Sequence, residues 1–116
     1  MADNVLFIGW NRSVAGQEQK ALAIFGRTLE YYTRLQSEGK IESFETVILN
    51  VHGGDLNGFI LIRGDAQKLF EVQNEDEWLD SVTELTICLE GFGVVPGYIG
   101  EGVQNLMARR ARILGG

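Results

Sequence analysis

The run Phe59-Ile60-Leu61-Ile62 constrains the fold of this chain most. Side chains alternate across a strand, so an unbroken apolar run is apolar on both faces. It reads as a central strand covered on both sides. The turn-forming segment Gly53-Gly54-Asp55-Leu56-Asn57-Gly58 precedes it. Before the turn, Ile41 to His52 alternates. Phe44, Thr46, Ile48, Asn50 and His52 share one face, and Glu45, Val47, Leu49 and Val51 the other. The two segments are expected to pair as a hairpin.

Val5 to Trp10 is rich in strand formers and reads as the first strand, followed by a small, polar loop from Asn11 to Gly16. Gln17 to Glu38 carries Ala21, Leu22, Phe25, Leu29, Tyr32 and Leu35 at spacings of three and four, the apolar stripe of a long helix. Gly39 follows as its C-terminal cap. Asp65 can cap a short helix over Ala66 to Val72. Asn74 offers a further cap, with Glu77 at the capping-box position. The helix that follows runs from Glu75 into Thr86-Ile87-Cys88, with Trp78, Val82 and Leu85 as its stripe. The β-branched residues there leave its end open. Gly91 to Gly100 reads as a last strand in which Pro96 marks an edge or a bulge. Val103 to Leu114 is a terminal amphipathic helix.

The order is strand, helix, strand, strand, helix, strand, with a tail helix. It specifies an α+β fold, the ferredoxin-like βαββαβ arrangement of a four-stranded antiparallel sheet with helices on one face. A length of 116 residues fits one domain, 1–116. The central strand and the residues Phe7, Phe92, Val94 and Val95 leave apolar side chains for a second face, which two helices do not cover. A homodimer through the sheet face is the commonest remedy.

The net charge of -6 argues against a broad nucleic-acid surface. Arg109, Arg110 and Arg112 form the one basic cluster, read as a solvated helix end, with a partner-binding patch as the alternative. No apolar run is long enough to span a membrane, and no secretory signal is visible. Cys88 is the single cysteine, so no internal disulfide can form, an oxidising compartment is not required, and a cytoplasmic location is expected.

Three stretches resemble the dimeric α+β barrel superfamily. They are Gly58 to Asp65 leading into a helix, Asn74-Glu75-Asp76-Glu77-Trp78, and Gly91-Phe92-Gly93-Val94-Val95-Pro96-Gly97-Tyr98. The similarity is to uncharacterised small bacterial members and runs from Val5 to about Glu101. It implies two ferredoxin-like subunits with their sheets pressed together. The superfamily includes cofactor-free oxygenases, haem-degrading enzymes, isomerases and proteins of no assigned role. Asn11 and Trp78 match two positions of the haem-degrading branch. The helix after Trp78 has no histidine to ligate iron, which sets that reading aside.

No phosphate loop, HExxH, paired CxxC or GxSxG motif is present. Neither a metal nor a cofactor is expected. His52 is the only histidine and the candidate catalytic acid or base; its other reading is a hairpin residue half in solvent. Trp10, Asn11, Tyr32 and Trp78 are the candidate ligand-binding residues, each with an alternative as core or turn. The expectation is therefore a homodimeric module binding a small hydrophobic molecule in an apolar cavity between helices and sheet. The alternative is a cofactor-independent oxygenase or isomerase, in which His52 moves a proton and Trp10 or Asn11 holds the substrate.

Overall fold

The computed structural model describes residues 3–115. The chain runs β1 (Asn4–Trp10), β2 (Arg12–Ser13), α1 (Glu18–Ser37), β3 (Ser43–Ile48) and β4 (Gly58–Gly64). It continues with α2 (Ala66–Val72), α3 (Asp76–Cys88), β5 (Leu89–Glu90), β6 (Gly93–Tyr98) and α4 (Glu101–Gly115). The main sheet has the order β3-β4-β1-β6, with every pairing antiparallel. This is the ferredoxin-like arrangement that the order of elements implies. None of its helices is long and apolar enough to cross a membrane, among the described residues.

Register assigns the faces. Leu6 pairs with Ile62 and Ile8 with Ile60. All four are buried and meet Tyr32, Leu35, Leu69 and Trp78 from the helices. Val5, Phe7, Phe59, Leu61 and Arg63 alternate with them and face the other way. There the Phe7 and Phe59 rings stack at 5.1 Å, and Glu45 pairs with Arg63 at 2.7 Å. Phe7, Phe59 and Leu61 are only half-buried, and Val95 on β6 is 56% exposed. The molecule is 21 Å across its shortest dimension. That is the depth of one sheet and one layer of helices. Although Val5 is buried, the second face of the sheet is largely open among the described residues.

Several elements differ from the sequence reading. The strand expected to reach His52 ends at Ile48. β4 begins at Gly58, the partner of Ile48, so residues 49–57 have no strand to pair with. Leu49 N–H bonds Asn57 O at 3.0 Å and closes the loop. Asn11 to Gly16 is not wholly loop, because Arg12 and Ser13 pair with Glu90 and Leu89. The capping box is not formed. Asn74 donates its side-chain amide back to Phe70 O at 2.8 Å, Glu77 pairs with Arg34, and Glu75 is the N-cap. Asp65 does cap α2, accepting from Lys68 N at 3.1 Å.

Candidate functional site

β1 ends and α1 begins around one apolar cleft of about 430 Å³. Trp10 forms one wall. As the last residue of β1 it pairs with Gly58, the first of β4. A Cβ at Gly58 would sit 2.6 Å from Trp10 Cζ2, so glycine there lets the indole lie across the neighbouring strand. Asn57 N–H bonds Trp10 O at 3.0 Å and fixes the strand end. Phe25 of α1 meets the indole edge-on, with ring centroids 5.4 Å apart.

Ala21 and Leu89 form the floor, and Leu22 and Ile48 stand at the mouth. Leu22 is 73% exposed and Ile48 66%. Leu22 thus leaves the buried stripe it was expected to share. α1 packs on two neighbours, the sheet and α3, so its buried set shifts to Ala21, Ile24, Thr28, Tyr31, Tyr32 and Leu35. The polar lining is Ser13 and Glu18. Large apolar side chains around a concave surface with one carboxylate at the rim suit a small molecule with an apolar body.

The other candidate residues lie apart from this cleft. Tyr32 and Trp78 are 2% and 3% exposed and pack on each other at 5.8 Å, beneath Phe44. They fill the space between helices and sheet. Asn11 sits behind Trp10, with its carbonyl accepting from the Asn57 side chain and its amide lying against Gly91. His52 is exposed in the loop between β3 and β4. Gly54 N–H donates to its Nδ1 at 3.1 Å. Nε2 therefore carries the proton and donates to Leu56 O at 2.8 Å. Both ring nitrogens are used by the loop.

A second polar cluster joins α1 to the start of α3. Tyr31 Oη donates to Glu75 Oε1 at 2.8 Å, and Lys40 Nζ reaches Glu75 Oε2 at 2.8 Å. The Lys40 hydrogen bond holds the Glu75 carboxyl below its ordinary range, with help from Tyr31 and against some desolvation. Burial, then the Glu75 hydrogen bond, pushes the Tyr31 phenol well above its usual range. The groups are already satisfied by one another, so the cluster reads as a clamp. Among the described residues, no group of three or more His, Cys, Asp or Glu side chains is placed to hold a metal.

Phe25, Leu22, Ile48 and Leu89 were not foreseen as site residues. The available signal was Trp10 at a strand end together with Gly58 at a strand start, but their pairing depends on register.

No family model matches the chain, and no curated protein does. Solved structures do. A dimeric protein of unknown function and ferredoxin-like fold from Bacteroides fragilis aligns with a TM-score of 0.59 at 13% identity, over 83% of this chain and 96% of that one. The hydroxynitrile lyase of Passiflora edulis aligns at 0.65 and 14% identity, over 87% and 97%. SnoaB, a cofactor-independent oxygenase from Streptomyces nogalater, aligns at 0.51 and 19% identity, over 85% and 93%. At such identities it is the backbone path that is shared. The chain has a ferredoxin-like α+β fold.

Proposed function

We propose that this chain, as a single domain, is a homodimeric module that binds a small apolar molecule in the cleft between Trp10 and Phe25. The observation that carries the reading is the cleft itself. Its walls are aromatic, its mouth holds two solvent-exposed aliphatic residues, and a strand-end glycine makes room for the indole. Pairing through the open sheet face supplies the cover that Phe7, Phe59 and Leu61 lack. The dimeric Bacteroides protein of the same fold supports a dimer. One free, buried cysteine is in keeping with the cytoplasm.

A second reading is a cofactor-independent enzyme, favoured by the oxygenase and lyase among proteins of this fold. In it the substrate occupies the same cleft, and His52 must leave its loop contacts to act. His52→Ala with loss of turnover and an intact fold is the result that reading requires.

The binding reading is tested with Nile red, whose fluorescence rises in apolar surroundings. Wild-type protein should bind it, and Leu22→Lys should weaken binding about tenfold or more by placing a charge at the mouth. Leu22 is exposed, so the variant should fold normally. Equal binding by the two proteins would sink the cleft as the site.

A further inference from the structure

Among the described residues, α4 meets the rest of the chain near its start, where Gly102 lies against Asp3 and Tyr98 and Leu106 is half-buried. It buries no residue, yet Val103, Leu106, Met107, Arg110, Ile113 and Leu114 recur at spacings of three and four and share one side. Leu114 is 85% exposed on that side. The helix is nonetheless aimed. Ile99 N–H bonds Asp3 O at 3.0 Å and Gly102 N–H bonds Ile99 O at 3.0 Å. Its fifteen residues span about 22 Å, in a molecule 55 Å long.

Charge indicates what covers it. Arg12, Arg27, Arg34, Lys40 and Arg63 each pair with an acid of the chain. Among the described residues, Lys20, Lys68, Arg109, Arg110 and Arg112 make no salt bridge, and the last three sit together on α4. α4 holds three arginines and one glutamate, although the chain as a whole carries -6. The arm is basic and the body strongly acidic. Arg110 lies inside the apolar stripe, and Arg112 lies on the opposite side of the helix. An apolar surface that meets this stripe must therefore present an acid to Arg110.

We infer that α4 is an arm that docks on a second copy of this chain, with its apolar stripe against the partner and Arg110 facing a carboxylate. The acidic body of a second copy supplies that complement. The same body repels an anionic membrane, the other surface that attracts basic amphipathic helices. The inference rests on the homodimer reading and adds a second contact to it. Two copies related by a twofold axis exchange arms reciprocally, so the contact forms twice.

The test is sedimentation equilibrium on the full chain, comparing wild type with Met107→Glu, Arg110→Glu and Arg112→Glu. The Arg110 and Arg112 variants make the same change in net charge on opposite sides of the helix. Met107→Glu and Arg110→Glu should each weaken the dimer about tenfold or more. Arg112→Glu should leave it within about threefold. Far-ultraviolet circular dichroism checks that the helix persists. Hydrogen exchange gives a second reading: α4 amides should be protected in the wild-type dimer and lose that protection on dilution. A wild-type dimer with unprotected α4 and unchanged affinity in all three variants overturns the arm and leaves the sheet interface standing. A wild-type monomer overturns the homodimer reading and the arm with it. If wild type co-floats with phosphatidylglycerol vesicles and Arg110→Glu does not, while their dimer affinities are equal, a membrane is the partner and the inference falls.

Discussion

At the scale of single residues, Glu75 ties three segments together. It stands at the N-cap position of α3, without a side-chain capping bond, accepts from Tyr31 on α1 and pairs with Lys40 beyond the end of α1. Its carboxyl is held low mainly by the Lys40 hydrogen bond. A carboxyl ionises at about 4.3 in the unfolded chain. The stabilisation is therefore complete above that value and is lost as pH falls through the lower folded value. Tyr31→Phe removes one donor and should cost about 1 kcal/mol at pH 7. The deficit should shrink on acidification, as Glu75 becomes protonated. Urea midpoints at pH 7 and pH 3 check this. A deficit that is the same at both would mean the hydroxyl acts through packing and not through the carboxylate. None of this cluster was legible in the sequence, where Glu75 looked like one of several acids at a helix start. Its two partners lie 44 and 35 positions away, and only the fold brings them within reach.

At the scale of elements, local chemistry was readable where it is self-contained. Gly39 ends α1 at φ +72°. Its N–H bonds Gln36 O at 3.1 Å and Lys40 N–H bonds Leu35 O at 2.9 Å, which closes both bonds of a Schellman cap. Gly39→Ala forces a side chain into the left-handed region and should cost about 1 kcal/mol. Nothing lies within 4 Å of the added Cβ, so a thermal shift of about 4–8 °C would come from backbone strain alone. An unchanged melting temperature would mean the cap contributes nothing. Elements whose limits depend on a neighbour were misjudged for that reason. Alternation continues past Ile48 to His52, but alternation needs a strand to pair with, and Val51 is fully exposed. The α1 pattern was read as one stripe, whereas a helix between a sheet and α3 buries a wider arc. Thr28 is the clearest case. A polar residue outside the apolar count, it is buried against Ser81, with hydroxyls 3.2 Å apart. Its own carbonyl partner is Ile24 O at 2.8 Å.

At the scale of the whole molecule, the apolar run of β4 implied both the central strand and the need for cover on its second side. The sheet order bears out the first half, with β4 between β3 and β1; Ile60 and Ile62 are buried against the helices, while Phe59 and Leu61 remain partly exposed. The site was less legible. Trp10, Tyr32 and Trp78 were singled out together, because composition cannot separate an aromatic at a cleft from one in a core. Trp10 lies at the end of the sheet, and Trp78 lies beneath its middle. Assembly and binding are expected to be separable, because the cleft residues Trp10 and Phe25 lie at the end of β1 and on α1, whereas Leu61 lies on the open face of the sheet. Leu61→Asp places a charge at the centre of the open face and should convert the proposed dimer to a folded monomer. Ile60→Asp, one residue away but 1% exposed on the helix side, should instead cost more than about 4 kcal/mol and unfold the chain. Sedimentation equilibrium and circular dichroism distinguish the two outcomes. The Leu61→Asp monomer should still bind Nile red, because neither Trp10 nor Phe25 lies on the altered face. A Leu61→Asp protein that stayed dimeric would move the interface elsewhere. A monomer that lost the dye would mean that the partner, and not this chain alone, holds the cleft in shape.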